Sequence, residues 1–325
     1  MRYLVLGAGA IGGAIGGRLA QAGRDVVLLA RGAHLSALQE RGLELRDPNG
    51  SVRLDLPAVG SPAEAEPREG DVVVLATKSQ QTEAALAALF AVAPPGVAVV
   101  CAQNGVDNER MALRRFARVY GMRVILAATH LEPGVVEIAT APLWGILDVG
   151  VYPSGVDDVA SLVADDLRAA GFDAEASARV MEHKYLKLLM NLANAIEAAV
   201  GTRDDPAAEQ LAAAARQEAR ACYEAAGITV ADTTRENERR RARGLVQPVG
   251  GETRVGGSSW QSLERGTGDI EADYLNGEIV LLGRLHGVPT PVNERLQTVA
   301  NAMARDRRPP GSMTAAELAA GLLDH

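Results

Sequence analysis

The 325-residue sequence has only two cysteines, Cys101 and Cys222, and aromatic residues make up 3% of it. The cysteines lie far apart without CxxC spacing, and the five histidines are scattered, so neither a disulfide framework nor a metal site is predicted. No apolar run reaches the roughly 18 residues that a membrane-spanning helix needs. Residues 1–7 show no charged leader before an apolar core, and we expect a cytoplasmic protein.

Positive charge is also scarce, because 33 Lys and Arg stand against 41 Asp and Glu, for a net charge of -8. A nucleic-acid-binding protein usually carries a basic face. The one short arginine run, at 239–243, is interpreted as a solvated helix face, so we expect neither nucleic-acid nor membrane partners. A hydrophobic content of 47% is ample for large cores. At roughly 150 residues per domain, the length predicts about two domains.

The first half alternates apolar runs of strand length with helical spacing, which is typical of a doubly wound parallel sheet. Residues 135–138 and 143–149 depart from this alternation and are interpreted as a strand pair. After about residue 178 only helical spacing remains. The sequence therefore predicts an α/β fold, with a Rossmann-type dinucleotide-binding domain at 1–178 and an all-α substrate and dimerisation domain at 179–325. The predicted parallel strands are residues 3–6, 25–30, 71–77, 97–102 and 124–128.

A glycine fingerprint lies between the first predicted strand and the following helix. In a G-x-G-x-x-G turn, Gly7 permits the tight turn, Gly9 lets the backbone approach a pyrophosphate, and Gly12 lets the helix pack on the sheet. The helix N-terminus then offers N–H donors to the phosphates. A turn that binds nothing is the alternative, which the strand–turn–helix context disfavours. The predicted cofactor-binding residues of this turn are Gly7, Ala8, Gly9, Ala10, Ile11 and Gly12.

The end of the second predicted strand favours NADP over NAD. An acidic residue there would hold the ribose 2′-hydroxyl of NAD, but the nearby carboxylate, Asp25, stands at the beginning of the strand. Arg31 stands at the end instead, where a guanidinium can take a 2′-phosphate. A solvated surface arginine is the alternative interpretation.

Polar residues follow the next two strands at the edge where open α/β sheets bind ligands. Lys78 follows the third strand and can meet a phosphate or a substrate carboxylate, while Asn104 with Gly105 can line the nicotinamide end of the site. An exposed lysine and an ordinary turn are equally good interpretations of these residues taken singly.

A polar stripe interrupts an apolar helix predicted at 180–200. At 100° per residue, Lys187, Asn191 and Asn194 share one face. A lysine desolvated there is suited to acid–base chemistry. The alternative is a solvated face, which the flanking Leu, Met and Ala residues disfavour.

A second constellation follows in the helical half. Gly256 and Gly257 allow close approach of Ser258 and Ser259 to an anion. Glu271 begins a predicted helix at 271–286, where the helix dipole favours a carboxylate. Its alternative role is simple capping, with Asp269 as the N-cap.

These motifs together resemble the ketopantoate reductases (2-dehydropantoate 2-reductases) over nearly the whole chain. The resemblance implies NADPH-dependent reduction of ketopantoate to pantoate, in the route to pantothenate and coenzyme A. It also implies that Lys187 protonates the carbonyl oxygen, that Glu271 holds the nascent hydroxyl, and that Asn and Ser side chains position the substrate. The motifs that carry it are GAGAIG, Lys78, Asn104-Gly105, Lys187 with Asn191, Ser258-Ser259, Glu271 with the DYLNG segment, and HGVPTP.

Two departures from the family pattern fall in the substrate half of the site. The family's second asparagine comes eight residues after the lysine, where this sequence has Ala195, with Asn194 one residue earlier. Ser259 keeps the usual spacing to Glu271, whereas Ser258 keeps the usual relation to Gln261. These changes leave the cofactor assignment alone and leave the identity of the 2-oxo acid open.

Two other functions stay open at this stage. One is a related dehydrogenase that acts on another hydroxy acid, an amino-acid-derived imine or a polyol phosphate. A phosphate-bearing substrate would need cationic side chains near the Ser258 loop, and the candidates there are only Arg254 and Arg265. The other is an NADPH sensor without turnover, which would have no need of Lys187 and Glu271.

His130 and His183 are alternative proton donors. The apolar all-α half is compatible with a homodimer.

Overall fold

The computed structural model describes residues 1–202, 204–242, 244, 246–252 and 255–322. The chain divides into two compact units. The first unit is Met1–Lys184 with Ala231–Arg254, and the second is Tyr185–Val230 with Val255–His325. The predicted boundary lies at residue 178; in this division the first unit continues to Lys184 and also includes Ala231–Arg254.

The first unit contains every strand named here. Its strands are β1 (Arg2–Leu6), β2 (Asp25–Leu29), β3 (Leu43–Asp47), β4 (Gly50–Leu54), β5 (Ala58–Val59), β6 (Val72–Leu75), β7 (Ala98–Cys101), β8 (Arg118–Leu126), β9 (Ala128–Thr129), β10 (Val135–Ile138) and β11 (Gly145–Val151). Its helices up to residue 169 are α1 (Ala10–Gln21), α2 (Gly32–Arg41), α3 (Pro62–Ala65), α4 (Thr82–Phe90), α5 (Asn108–Leu113) and α6 (Asp158–Ala169), with a 3₁₀ turn at Ser79–Gln81.

From residue 180 onward the described chain consists of helices and the loops that join them, apart from isolated bridges. The helices are α7 (Val180–Asn191), α8 (Asn194–Val200), α9 (Pro206–Ala226), α10 (Thr233–Ala242), α11 (Ser258–Glu264), α12 (Asn276–His286), α13 (Pro291–Arg305) and α14 (Ala315–Ala319), with a 3₁₀ turn at Glu271–Tyr274. None of the described helices is long and apolar enough to cross a membrane.

The main sheet has seven strands in the order β11-β8-β7-β6-β1-β2-β5, and every pairing is parallel except that of β11 with β8. This confirms the predicted Rossmann-type α/β class. A second sheet, β4-β3-β10-β9, was not predicted. The predicted pairing of 135–138 with 143–149 is wrong, because β10 pairs with β3 and β9 while β11 pairs along its whole length with β8.

Alternate residues of each parallel strand enter cores on opposite faces of the main sheet. In β1, Tyr3 and Val5 pack with α1 and α6 residues, whereas Leu4 and Leu6 pack with residues of α4 and α5. Burial on both faces explains the continuous Val and Leu runs of these strands. The sheet therefore holds its carboxyl edge, where the fingerprint turn lies, on a rigid base.

An ion-pair cluster attaches α10 to the first unit. Arg239 bonds to both Asp148 oxygens at 2.9 Å and to Asp173 at 2.7 and 3.0 Å, and Asp148 also pairs with the buried Arg123. The interpretation of the 239–243 run as a solvated face is therefore wrong for Arg239, which is 13% exposed. Arg243 lies outside the described residues. These carboxylates explain why 231–254 belongs to the first unit.

Candidate active site

The fingerprint turn has the close packing that was expected at Gly7 and Gly12. Gly7 has φ +103°, and a Cβ added there would lie 2.8 Å from the Thr77 nitrogen. A Cβ on Gly12 would lie 2.1 Å from the Gly7 oxygen, so only glycine lets α1 pack this closely. At Gly9 the nearest atom to an added Cβ is 4.0 Å away, on the His130 ring. The turn is therefore packed tightly against the sheet and open at Gly9.

The N-terminus of α1 suits an anion. Gly9 is its N-cap without a side-chain cap, and no acidic residue lies in the first turn. The Gly7 and Ala8 amides donate to the Leu29 carbonyl at 3.1 and 2.9 Å, which fixes the turn on the end of β2. The amides that open α1, beside the open space at Gly9, fit a dinucleotide pyrophosphate.

Arg31 lies at the same sheet edge as this turn. It is exposed, extended in backbone, and forms the N-cap of α2, two residues beyond the Leu29 carbonyl that the turn amides contact. Asp25 lies at the far end of β2, opposite Arg2 in register. Asp25 is therefore at the end of β2 away from the turn, and Arg31 follows the end nearest the turn, an arrangement that fits a 2′-phosphate.

Lys78 and Asn104 lie in two loops that a polar network joins. Gln103 Nε2 donates to the Thr77 carbonyl at 2.9 Å and to Thr82 Oγ1 at 2.7 Å. Asn108 Nδ2 donates to the Asn104 carbonyl at 2.9 Å, and Thr82 Oγ1 donates to Asn108 Oδ1 at 2.8 Å. Both loops follow parallel neighbours, β6 and β7, so the network holds Lys78 and Asn104 at adjacent strand ends.

A buried ion pair supports this network from α7, and sequence reasoning missed it. Lys184 Nζ contacts Glu109 and donates to the Gln103 carbonyl at 3.2 Å. Burial raises the pKa of Glu109, and the attraction of Lys184 opposes that rise. A charged residue one turn before Lys187 in an apolar helix was the signal that could have revealed it.

Lys187 and Asn191 lie one turn apart on α7, as predicted. Both are half-buried, whereas Leu188 and Leu189 between them are buried. The prediction that Asn194 continues this helical face is wrong, because α7 ends at Asn191 and α8 begins at Asn194. The Leu192 carbonyl, which a continuous helix would bond to the residue-196 amide, accepts a hydrogen bond from Asn276 Nδ2 at 3.2 Å.

The break turns Asn194 toward the serine segment. Asn194 is buried, and its Nδ2 lies 3.4 Å from Ser258 Oγ. Ser258 is half-buried in the first turn of α11, whereas Ser259 is 4% exposed. The structure therefore brings Asn194 and Ser258 together and leaves Ser259 in the packed interior of the second unit.

Glu271 opens the 3₁₀ turn Glu271–Tyr274 and is 4% exposed. The predicted single helix 271–286 is wrong, because Leu275, at φ −111° and ψ −84°, separates this turn from α12. The capping alternative is also wrong, since Ile270 is the N-cap and Asp269 accepts from Thr267 Oγ1 at 2.8 Å. A carboxylate buried this deeply needs partners of opposite charge or hydrogen-bond donors.

The remaining sequence candidates are two histidines and two arginines. His130 packs against His34 with ring centroids 4.1 Å apart and the ring planes tilted by 48°. His183 lies one turn before Lys187 on α7 and is half-buried. Arg265 is an exposed residue at the end of α11, and Arg254 lies outside the described residues. In the described chain, no three or more His, Cys, Asp or Glu side chains form a group that could hold a metal.

Two family models match the chain. The one described as ketopantoate reductase PanE/ApbA matches residues 3–154, and the one described as ketopantoate reductase PanE/ApbA C terminal matches residues 179–304.

Related sequences carry the same description. The chain is 29% identical over 318 residues to the 2-dehydropantoate 2-reductase of Pyrococcus horikoshii, covering 93% of this chain and 97% of that protein. It is 30% identical over 302 residues to that of Archaeoglobus fulgidus, covering 91% of this chain and 95% of that protein.

Solved structures share the fold. A PanE/ApbA family ketopantoate reductase from Ralstonia eutropha has a TM-score of 0.79 at 27% identity, covering 95% of this chain and all of that one. D-mandelate dehydrogenase with NADH and anilino(oxo)acetate has a TM-score of 0.81 at 23% identity, covering 94% and 99%. The second shows a likeness of fold alone.

Proposed function

The chain belongs to the ketopantoate reductase family and is an oxidoreductase of the 2-dehydropantoate 2-reductase type, and from that premise we propose that it reduces a 2-oxo acid with NADPH. We propose 2-dehydropantoate as the first substrate, giving pantoate for pantothenate and coenzyme A. The cytoplasmic location and the homodimer through 179–325 stay predictions.

The cofactor proposal is supported by the carboxyl edge of the main sheet. The Gly7–Gly12 turn would hold the pyrophosphate, Arg31 the 2′-phosphate, and Lys78 and Asn104 the rest of the dinucleotide. When bound, NADPH supplies the hydride. Arg31 is the residue that favours NADPH over NADH, because a guanidinium can bond bidentately to a phosphate that NADH lacks.

The half-buried Lys187 is the single observation that carries the proposed chemistry. It stands on a helix whose neighbouring leucines are buried, so a substrate contacting it is partly shielded from water. Hydride addition to a ketone places negative charge on the oxygen, and Lys187 donates the proton that neutralises it. Glu271 accepts a hydrogen bond from the resulting hydroxyl.

The substrate would be oriented by amide and hydroxyl groups of the second unit. Asn191 is one turn from Lys187, and Asn194 with Ser258 forms a second pair of hydrogen-bonding groups. We propose Ser258 rather than Ser259 as the substrate-binding serine, because Ser258 is the more exposed and contacts Asn194. A carboxylate and a carbonyl together need several such donors.

An alternative substrate is suggested by Ala195. This residue is buried at the position where the family has its second asparagine. The asparagine one residue earlier is directed to Ser258 instead, so the substrate side of the site differs in shape from the family pattern. D-mandelate dehydrogenase shares the fold, which makes aryl 2-oxo acids a second class to test.

Steady-state NADPH oxidation with a panel of 2-oxo acids tests the proposal. We expect the highest kcat/KM with 2-dehydropantoate, and a higher kcat/KM with NADPH than with NADH. A higher kcat/KM with phenylglyoxylate would retain the reductase and replace the substrate. Tight NADPH binding without turnover of any 2-oxo acid would instead favour the sensor.

A further inference from the structure

His34 connects three parts of the first unit that lie far apart in sequence. Its Nε2 lies 2.8 Å from the Ala8 carbonyl in the fingerprint turn. Its Nδ1 accepts a hydrogen bond from the Gly134 amide at 2.9 Å. The ring itself belongs to the first turn of α2, three residues after Arg31. One side chain therefore links the turn, the start of α2 and the loop before β10.

These two contacts define the protonation of the ring. Because the Gly134 amide is a donor, Nδ1 must be the unprotonated nitrogen, and the proton is on Nε2. Nε2 then donates to the Ala8 carbonyl, so both contacts are satisfied only by the neutral imidazole in this tautomer. His130 packs against the same ring with centroids 4.1 Å apart and restricts its rotation.

The contact with Ala8 orients the next amide. In a planar trans peptide the C=O and the N–H point in opposite directions. When the Ala8 carbonyl is held toward His34, the Gly9 N–H points away from it. Gly9 is also the open position of the turn, where the nearest atom to an added Cβ is 4.0 Å away.

We propose that His34 is a positioning residue that couples two parts of the NADPH site, the pyrophosphate-binding turn and the arginine for the 2′-phosphate. It fixes the Ala8–Gly9 peptide and holds the start of α2, and hence Arg31, at a set distance from it. This inference rests on the proposed function, since it concerns the same nucleotide.

The coupling predicts an unequal effect on the two nucleotides. His34→Ala loses the peptide orientation for both NADPH and NADH, and loses the placement of Arg31 for NADPH alone. We expect the Kd for NADPH to rise about tenfold and that for NADH about threefold, the range that one or two hydrogen bonds supply. In an Arg31→Ala background, His34→Ala should raise both Kd values by the same factor.

The experiment is a fluorescence titration of NADPH and NADH against wild type, His34→Ala, His34→Gln, Arg31→Ala and the double variant. His34→Gln keeps an amide donor for Ala8 and should recover most of the NADPH affinity. Glu40→Ala, an exposed change on the same helix, is the matched control and should bind like wild type. Thermal unfolding of each variant identifies any that fails to fold. If His34→Ala does not fold, the nucleotide affinities of His34→Gln decide whether the proposal holds.

The outcomes separate the inference from the function. If wild type binds NADPH but His34→Ala binds both nucleotides within twofold of it, the inference is wrong and the proposed function stands. Equal losses for the two nucleotides, or no recovery in a folded His34→Gln variant, also overturn it. If wild type binds neither nucleotide, the proposed function fails and the inference fails with it.

Discussion

The Lys184 ammonium and the Glu109 carboxylate form an ion pair in which the two side chains are 2% and 0% exposed. The same ammonium donates to the Gln103 carbonyl, next to Asn104. Gly121 on β8 lies beside the carboxylate, since a Cβ there would be 3.4 Å from Glu109 Oε1. The loop that follows β7 is therefore held in place by an ion pair buried in the interior.

Removing one partner of this pair should be more damaging than removing both. Lys184→Met leaves Glu109 buried without its cation, and we expect a loss of about 3–5 kcal/mol in the free energy of unfolding. The Lys184→Met, Glu109→Leu double variant should recover much of this loss, because no buried charge remains. Urea unfolding of both variants checks the expectation. A double variant less stable than Lys184→Met would contradict it.

Arg31 should determine the choice of nucleotide. Arg31→Ala removes a charge-assisted contact with the 2′-phosphate, worth about 1.5–3 kcal/mol, so the Kd for NADPH should rise roughly 10- to 100-fold. The Kd for NADH should stay within about threefold, because NADH has no such phosphate. Arg41→Ala, at the other end of α2, is the control. Equal losses for both nucleotides would exclude this role.

Asn276 should affect the substrate side of the site through the α7–α8 break. Its Nδ2 donates to the Leu192 carbonyl at 3.2 Å and to Asn293 Oδ1 at 3.0 Å, and Asn276 is 1% exposed. Asn276→Ala leaves both acceptors buried, at a cost of about 1–3 kcal/mol in stability. We also expect a higher KM for the 2-oxo acid with an unchanged Kd for NADPH, because Asn194 follows the break. An unchanged KM would show that the α7–α8 break has no role in substrate binding and would contradict this prediction.

The stability should fall in mild acid through His34. Burial lowers its pKa from the ordinary 6.5, although the bond to Ala8 opposes this. Below about pH 6.5 the unfolded chain takes up a proton that the native ring does not, so stability is lost as the pH falls toward the native pKa. The slope from this one group is at most about 1.4 kcal/mol per pH unit. Urea unfolding of wild type and His34→Gln between pH 8 and about pH 5 should show a smaller slope for the variant, and identical slopes would contradict this assignment.

Local patterns predicted the parts of the molecule that depend on neighbours in sequence. The fingerprint turn needs only a strand, three glycines and a helix, and the structure shows the positive φ of Gly7 and the close packing at Gly12. The hairpin of β3 and β4 was also signalled locally, by alternating buried Leu43 and Leu45 before the turn in which the Asn49 amide bonds to Asp47. That signal was overlooked.

Long-range contacts account for the predictions that were wrong. The Leu192 carbonyl, just after the end of α7, bonds to Asn276, 84 residues further along the chain, and a helical wheel carries no information about such a contact. Arg239 belongs to the first unit because Asp148 and Asp173, more than 60 residues earlier in sequence, surround it. Helical periodicity predicts which residues share a face, but not which distant side chain interrupts the helix.

The most direct test of the proposed reaction is NADPH oxidation with 2-dehydropantoate by wild type beside Lys187→Ala. We expect turnover by wild type, a kcat lower by about 10²–10⁴ in the variant, and an unchanged Kd for NADPH, because only the proton donor is removed. Arg179→Ala, which removes a 76% exposed cation directly before α7, controls for the loss of a charge near this helix. A Lys187→Ala variant that keeps the wild-type kcat, or a wild type that binds NADPH and reduces no 2-oxo acid, would contradict the account.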